Sequence, residues 1–415
     1  LTGYSSPVLL VKRKQQNLYR VVTDFRVLNE KLVRINHAFP LVRDCLDAIG
    51  SSKCDVLTVI DLRDAYHTLR LAKSSQKYCG ITPFYGSPTY KYKRLGMGMS
   101  CSPAIWGQFV SHIQQHLKHK ERFKIIMDDI LLFSTKESHW DDLADLLSVL
   151  IKFGLKISPH KCQVFRTELI YMGLHFLIAN GKACYRPMKE KCDAIINLKT
   201  PKSVTECRMI AGMVNFLANF LPRLREYLVP IYNLTKKKAV FNWTKECQDA
   251  FNEIKQLVRK APVLKMPIPN AKFRLESDTS REATGGALYQ WQDNEWALIG
   301  YHSKKLPEAV RSYSVCELEL TGLICNIHGF AHLLKNTYFE VIMDHKAIQY
   351  LSKAKYEPPT RRLTALLLRL QDYQFDLQYL EGKKLHLSDA LSRLYFEEKH
   401  NINDVIPFNF MTHLA

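Results

Sequence analysis

The sequence lacks the cysteine spacing of a disulfide framework or a zinc cluster. Its 11 cysteines are an odd number, lie scattered from Cys45 to Cys325, and include no C-x-x-C pair. Secreted scaffolds and zinc sites both depend on regularly spaced, paired cysteines. We therefore expect reduced thiols in an intracellular protein.

Long apolar runs, internal repeats and low-complexity segments are also missing. The most apolar stretch, Leu320 to Leu334, is interrupted by Asn326 and His328 and is too short to span a bilayer. Neither an initiator Met nor a signal peptide precedes the strand-like residues after Leu1. We expect no membrane partner, and we expect this chain to be a piece of a longer protein.

Positive charge, in contrast, is abundant. The 59 Lys and Arg exceed the 40 Asp and Glu, which gives 415 residues a formal net charge of +19. Because the basic residues are spread along the chain, they favour a nucleic acid as the polyanionic partner. Charge alone leaves an acidic protein partner or a membrane surface open.

Local patterns divide the chain into four segments. Residues 1–180 alternate short strands with amphipathic helices and predict an α+β region, whereas residues 181–265 are mostly helical. Residues 271–394 predict a separate α/β domain, and residues 395–415 lack periodicity and predict a tail or linker.

Two segments carry sharper predictions. Asp141 to Gly154 has leucines at helical spacing, acidic residues at its start and a glycine at its end, so we expect a helix there. In the α/β domain, we expect a first strand to end before a Gly-Gly turn at Gly285 and Gly286.

Two adjacent carboxylates, Asp128 and Asp129, interrupt the apolar run IIMDDILLF. Like charges about 4 Å apart repel by roughly 4 kcal/mol at an effective dielectric of 20, so burial there needs divalent cations. An exposed hairpin turn is the simpler alternative for this dipeptide alone. A second strand, VLTVID, also ends on an acid, Asp61. Together the acids predict a two-metal clamp for nucleotidyl transfer.

The ordered series YSSPVLLVKRK, YRVVTDFRVLNE, VIDLRDAYHTLRL, RLGMGMSCSPAIW, IIMDDILLFS, LKISPHKCQVF and YMGLHF resembles the finger and palm motifs of reverse transcriptases. The resemblance is to gypsy-type (Metaviridae) long-terminal-repeat retrotransposon Pol polyproteins and to retroviruses. It implies a right-hand polymerase with fingers, a ferredoxin-like palm and a helical thumb.

The resemblance also implies roles for individual residues. Asp61, Asp128 and Asp129 would bind two Mg²⁺ ions, with Mn²⁺ as a substitute. Arg20, and either Lys12 or Lys14, would bind the dNTP triphosphate. Tyr66 matches the steric gate against a 2′-hydroxyl, although a core tyrosine is the alternative.

Further matches concern the primer and template. Met172 and Gly173 match the primer grip, and Gly212, Asn215 and Phe216 match the thumb helix, which is also compatible with an ordinary core helix. The sequence departs from the family pattern at Ile126, where Tyr is usual, and at Gly96, where Pro is usual.

A second set of acids lies at element ends in the α/β domain. Asp278 and Asp344 end predicted strands, Glu319 lies in a predicted helix, and Asp389 begins a last helix. Exposed carboxylates are common at such places, so the positions alone do not establish a site.

The motif around Glu319 and the D-A-L-S-R-L ending resemble the ribonuclease H domain that follows reverse transcriptase in these elements. The resemblance implies that Asp278, Glu319, Asp344 and Asp389 bind two Mg²⁺ ions, and it leaves Glu317 as a solvated acid. Leu385 departs from the family, which often has Asn there.

The implied function is RNA-directed DNA polymerisation coupled to ribonuclease H cleavage. The implied partners are an RNA template, a DNA primer, an RNA–DNA hybrid and dNTPs, in the cytoplasm, a virus-like particle or the nucleus. The alternative is a catalytically impaired nucleic-acid-binding or structural protein derived from a retroelement. The oligomeric state is not evident from the sequence.

Overall fold

The fold is given by a computed structural model that describes residues 4–12, 18–179, 181–237, 239–344, 360–380 and 406–408. The chain separates into two compact units. The first comprises residues 1–172 and 177–183, and the second comprises residues 173–176 and 184–415.

The first unit mixes strands and helices, as its sequence pattern predicts. Its helices are α1 (Arg26–Lys31), α2 (Val42–Ser51), α3 (Ala65–Thr68), α4 (Ser102–Gln114) and α5 (His139–Lys152). Its strands are β1 (Ser6–Lys12), β2 (Tyr19–Thr23), β3 (Val56–Arg63), β4 (Gly80–Thr82), β5 (Tyr90–Lys91), β6 (Phe123–Ile126), β7 (Asp129–Ser134), β8 (Lys156–Ile157), β9 (Gln163–Arg166) and β10 (Glu168–Tyr171).

The central sheet of this unit has the order β6-β7-β3-β8, with β9 pairing to β3. Apolar side chains of its strands form a core with those of α4 and α5. The fully buried Trp106 and Leu146 lie in this core. The predicted helix at Asp141 to Gly154 is confirmed as α5, and Gly154 follows it at a φ of +67°. A smaller sheet has the order β2-β1-β4-β5.

The chain passes between the units within strands β11 (Leu174–Ala179) and β12 (Lys182–Pro187). The second unit then contains α6 (Lys189–Ile196), α7 (Val204–Asn215), α8 (Leu224–Asn233), α9 (Lys245–Arg259), β13 (Leu264–Lys265), β14 (Phe273–Thr279), β15 (Ala283–Gln292), β16 (Glu295–Lys305), α10 (Val315–Gly329), α11 (Ala331–Leu334), β17 (Tyr338–Met343), α12 (Arg361–Leu368), β18 (Gln374–Tyr379) and β19 (Ile406–Phe408).

A six-stranded sheet organises this unit in the order β16-β15-β14-β17-β18-β19. Strands β14, β15 and β16 are antiparallel, whereas β14, β17 and β18 run parallel. Parallel strands need crossover helices, and α10 supplies the connection before β17. Leu323 and Ile327 of α10 pack with Leu275 and Val341 of the sheet in one buried cluster.

The expected Gly-Gly turn is wrong. Gly285 and Gly286 lie inside β15, and the chain turns earlier, where the Ser280 amide donates to the Ala283 carbonyl. A Cβ at Gly286 would lie 2.9 Å from Asn326 Cγ of α10. The glycines therefore mark close packing against a strand, a second common use of glycine besides turns.

Three further observations concern the end of the chain, its cysteines and the length of its helices. The tail contributes a short strand, β19, which pairs antiparallel with β18 and is too short to show periodicity. The 11 cysteines are free thiols. Across the described residues, no helix has the length and apolar character needed to cross a bilayer.

Candidate active sites

The first acidic group lies at one end of the central sheet of the first unit. Asp61, near the end of β3, is directly opposite Asp129, the first residue of β7. Asp128 occupies the turn between β6 and β7, where its carbonyl accepts a 2.9 Å hydrogen bond from the Leu62 amide. The three predicted carboxylates therefore belong to two adjacent strand ends.

A buried tryptophan holds the turn that carries Asp128. Met127 has a φ of +54°, which is uncommon for a residue with a side chain. The fully buried Trp106 donates its indole N–H to the Met127 carbonyl at 2.7 Å. Asp128 Oδ1 is buried and has no hydrogen-bond partner. An unsatisfied carboxylate oxygen is costly unless a cation meets it, so this turn suits a metal ligand.

The electrostatics of this group are unfavourable without a cation. Burial raises the pKa of Asp128 and of Asp129, and the charge of Asp61 raises both further. Lys161 Nζ lies 3.1 Å from Asp61 Oδ2 and opposes this effect. Lys161 lies in the segment LKISPHKCQVF, but nothing in its local pattern marks it as a partner of Asp61.

The predicted nucleotide-binding residues differ in how they interact with the first acidic group. Tyr66 is half-buried, its ring is edge-on to Trp106 at 6.0 Å, and burial and Asp128 raise its pKa. Arg20 donates to Met97 Sδ at 3.4 Å, and its charge lowers the pKa of Asp128. Lys12 is exposed at the end of β1 opposite Tyr19, and Lys14 lies outside the described residues.

Both departures from the family motif have a packing explanation. Ile126 is 8% exposed and pairs with Asp129 across the β6–β7 hairpin, so an apolar side chain is buried next to the acids. A Cβ at Gly96 would lie 2.9 Å from Met99 Cε and 3.1 Å from Phe25 Cε2. A larger residue at position 96 would displace one of these side chains.

In the second unit, predicted primer and thumb residues partly converge. Lys191 Nζ lies 3.6 Å from the ring centroid of Phe216, which is 44% exposed. A Cβ at Gly173, whose φ is +77°, would collide with Lys191 and approach Phe216 Cζ at 3.2 Å. Lys191 could not be predicted, because nothing in its local sequence indicates this long-range contact.

The other predicted contact residues separate into exposed and internal positions. Gly212 lies on the exposed side of α7 with open space around its Cα. Met172 has a φ of +49° at the turn before β11. The Asn215 side-chain amide instead donates to the Tyr232 hydroxyl at 2.8 Å. The Asn215 side chain is therefore directed towards the neighbouring helix α8.

The second acidic group is tighter than the first. Asp278 of β14, Glu319 of α10 and Asp344 at the end of β17 offer carboxylate oxygens that all lie within 4.8 Å of one another. Within the part of the chain that the structure describes, it is the one such group of three acids, histidines or cysteines. Asp389 lies outside the described residues.

Glu319 has the strongest perturbation in this group. Burial, followed by the charges of Asp278 and Asp344, raises its pKa to about 8. Its Oε2 atom is buried without a hydrogen-bond partner. Oxygen ligands with one orphaned buried atom suit a hard divalent cation, which would hold Glu319 ionised at neutral pH.

The expectation that Glu317 is a solvated acid is wrong. Glu317 is only 7% exposed, and its carboxylate accepts hydrogen bonds from the Ser314 amide and hydroxyl, both at 3.0 Å. The Ser314 hydroxyl accepts in turn from the Glu317 amide, which completes a capping box at the start of α10. The S-x-x-E spacing was a visible signal for this role.

Arg223 is a further residue that the sequence analysis missed. It precedes α8, and its Nη1 atom lies 3.3 Å from Asp278 Oδ2. No local pattern links these positions, because the contact joins a helical segment to a strand more than fifty residues later.

Two family descriptions match this chain. Residues 11–176 match "Reverse transcriptase (RNA-dependent DNA polymerase)". Residues 243–341 match "RNase H-like domain found in reverse transcriptase". The first match covers the first acidic group, and the second covers Asp278 and Glu319.

Curated relatives include the Transposon Tf2-3 and Tf2-7 polyproteins of Schizosaccharomyces pombe (strain 972 / ATCC 24843). Each is 31% identical to this chain over 395 residues, which are 94% of this chain and 29% of the relative. The chain therefore spans less than a third of the length of these polyproteins.

Solved structures of foamy viral protease-reverse transcriptase have a similar fold. One in complex with dsDNA has a TM-score of 0.76 at 21% identity and covers 91% of this chain and 78% of that chain. One in complex with an RNA/DNA hybrid has a TM-score of 0.72 at 20% identity and covers 97% and 54%. The expected polymerase fold followed by an RNase H-like domain is confirmed.

Proposed function

We propose that this chain is the reverse transcriptase and RNase H-like region of a retrotransposon polyprotein. It synthesises DNA on an RNA or DNA template and cleaves the RNA of RNA–DNA hybrids. The observation that supports polymerisation best is the pairing of Asp61 with Asp129 beside the buried, unsatisfied Asp128 oxygen. This arrangement is unfavourable for a protein without a cation, and it suits one that binds metal and triphosphate.

In the polymerase site, Asp61, Asp128 and Asp129 would hold two Mg²⁺ ions, which Mn²⁺ could replace. When bound, the metal ions activate the primer 3′-hydroxyl and neutralise the triphosphate. Arg20 and Lys12 would bind triphosphate oxygens as charged donors. Tyr66, held next to Trp106 and close to Asp128, would exclude a ribose 2′-hydroxyl by its bulk.

In the nuclease site, Asp278, Glu319 and Asp344 would hold metal ions together with Asp389. When bound, these ions activate a water molecule to cut the RNA strand. The 4.8 Å grouping of three acids and the raised pKa of Glu319 support this assignment. Perturbed acids clustered at one end of a sheet are typical of catalytic sites.

The net charge of +19 supports nucleic-acid partners. We assign primer contacts to Met172 and Gly173, with Lys191 as a cation beside Gly173. Gly212 and Phe216 of α7 would contact the duplex backbone, whereas Asn215 would position α7 through Tyr232. We propose that the protein acts on these partners in the cytoplasm, a virus-like particle or the nucleus.

Polymerase activity is tested by Mg²⁺-dependent dNTP incorporation on a homopolymer template with a complementary primer. Asp128→Asn removes a metal-binding charge with little change in volume and should reduce incorporation by several orders of magnitude. Asp141→Asn, an exposed acid of α5, is the matched control and should keep the parent rate. Equal background incorporation in the parent and in Asp128→Asn would favour the impaired nucleic-acid-binding protein.

Nuclease activity is tested with an RNA–DNA hybrid labelled on the RNA strand. Asp278→Asn should abolish cutting, whereas Glu295→Gln, an exposed acid at the start of β16, should cut at the parent rate. If Asp278→Asn still cuts like the parent, the assignment of the nuclease site is refuted.

A further inference from the structure

Arg223 connects the helical segment of the second unit to the nuclease acids. Its guanidinium donates through Nε and Nη2 to the two carboxylate oxygens of Glu226 at 2.8 and 3.2 Å. The remaining nitrogen, Nη1, lies 3.3 Å from Asp278 Oδ2. One planar group thus joins a carboxylate of α8 to a proposed metal ligand of β14, and Glu226 fixes its orientation.

The backbone around Arg223 is arranged to allow this contact. Arg223 has a φ of +50°, a left-handed conformation more usual for Gly or Asn. Gly285 pairs with Asp278 across the β14–β15 ladder, and a Cβ there would lie 3.0 Å from Arg223 Cγ. The backbone amide of Arg225, two residues after Arg223, donates to Ser303 Oγ of β16 at 3.2 Å and fixes the start of α8 on the sheet.

The negative charges of the three acids explain why an arginine beside Asp278 is useful. Once all three are ionised, as binding of a cation requires, Asp278, Glu319 and Asp344 repel one another, so a cationic partner helps to keep the Asp278 carboxylate beside the other two. A metal-binding carboxylate is commonly oriented by a hydrogen-bond donor behind it. Glu226 balances the charge of Arg223, so the Arg223–Asp278 ion pair orients Asp278 while adding little net repulsion towards a cation.

We infer that Arg223 is a positioning residue of the nuclease site, which holds the Asp278 carboxylate towards Glu319 and Asp344 and is itself oriented by Glu226. This inference rests on the proposed nuclease function. It makes the site depend on the helical segment that precedes the RNase H-like strands. The nuclease would therefore be completed from outside its own sheet.

The test uses the full chain carrying Asp61→Asn and Asp128→Asn, so that Mn²⁺ binding at the first acidic group is removed. Mn²⁺ is titrated, and its free concentration is followed by electron paramagnetic resonance. Arg223→Ala should weaken Mn²⁺ binding about 10- to 100-fold, as loss of an orienting partner does. Arg223→Lys, which keeps the charge but not the fork, should give an intermediate loss.

Arg225→Ala is the matched control, because Arg225 lies two residues after Arg223 in the first turn of α8 and carries the same charge, but donates to the Tyr232 hydroxyl at 2.7 Å. It should bind Mn²⁺ like its parent. A parallel assay of hybrid cleavage should show that Arg223→Ala raises the Mg²⁺ concentration for half-maximal rate by a similar factor. In the background with an intact polymerase site, unchanged primer extension by Arg223→Ala shows that the chain is folded.

Unchanged Mn²⁺ affinity in a folded Arg223→Ala would overturn the inference, as would equal losses in Arg223→Ala and Arg225→Ala. Absence of any Mn²⁺ site that Asp278→Asn removes would overturn it too. If the parent binds Mn²⁺ at Asp278 but cuts no hybrid, the proposed nuclease function fails. The Mn²⁺ titration of Arg223→Ala would then still decide the role of Arg223.

Discussion

Asp61 and Asp129 lie directly opposite each other on the antiparallel strands β3 and β7. Like charges at such positions destabilise a sheet. Burial and the charges of Asp61 and Asp128 raise the pKa of Asp129, which reflects the same repulsion. The fold therefore retains a repulsion between carboxylates that a bound divalent cation would offset.

The first prediction is that Asp129→Asn stabilises the protein when metal is absent. Removing one charge of the pair should raise the free energy of unfolding by about 0.2–1 kcal/mol. Thermal unfolding in EDTA measures this effect, with Glu295→Gln, which removes an exposed acid at the start of β16, as the control. Added Mg²⁺ should stabilise the parent more than the variant, and a variant less stable than the parent in EDTA would contradict the prediction.

The second prediction concerns Tyr66. Tyr66→Val shortens the side chain beside Asp128 and should allow ribonucleotides to enter. Since removal of a steric contact is worth roughly 1–3 kcal/mol, discrimination between dNTPs and rNTPs should fall about 10- to 200-fold. Competing single-nucleotide incorporation measures the ratio of kcat/KM values. Tyr92→Phe is an aromatic control, because it removes only a hydroxyl that shares a 3.0 Å hydrogen bond with the Thr23 hydroxyl. Unchanged discrimination in Tyr66→Val would identify Tyr66 as a core residue only.

The third prediction separates the two glutamates of α10. Glu317→Ala removes the capping box and should lower the free energy of unfolding by about 0.5–2 kcal/mol while Mn²⁺ binding is kept. Glu319→Gln should instead lose Mn²⁺ affinity. Chemical denaturation and Mn²⁺ titration of both variants provide the measurement, and the reverse pattern would show that the roles are exchanged.

The fourth prediction is a pH dependence from Glu319. Its folded pKa is raised from 4.5 to about 8, chiefly by burial. The folded chain therefore keeps a proton that the unfolded chain loses between these values, so stability without metal falls as pH rises through that window.

Glu319→Gln should remove this fall. The difference between parent and variant should reach at least about 1.4 kcal/mol, the equivalent of one pKa unit, by pH 8. Urea unfolding in EDTA at pH 5 and pH 8 measures it. Parallel pH profiles of the parent and Glu319→Gln would show that Glu319 does not titrate in this range.

Much of the architecture could be predicted from local patterns. The leucine spacing of α5 and the apolar runs of β3 and β7 report burial on one face, which is a local property. The acids Asp278 and Glu319 were identified because they lie in motifs shared with a known family. Their 4.8 Å grouping with Asp344 needed the fold.

What could not be predicted depends on contacts between distant segments. Gly285 and Gly286 resemble a turn signal, but they make room for Arg223 and Asn326 from other elements. Lys161 and Lys191 are two among 59 basic residues until the fold places them beside Asp61 and Phe216. Glu317 is different, since its capping-box spacing was present and was outweighed by the motif around Glu319.

The most direct test of two separate metal-dependent sites is one substrate that reports both reactions. An RNA template labelled at its 5′ end is annealed to a DNA primer carrying a second label, and Mg²⁺ and dNTPs are added. We expect that Asp128→Asn loses primer extension but still cuts RNA that is already paired with the primer. Asp278→Asn should extend the primer but leave the RNA intact. Loss of both reactions in either folded variant, or neither reaction in the parent, would contradict it.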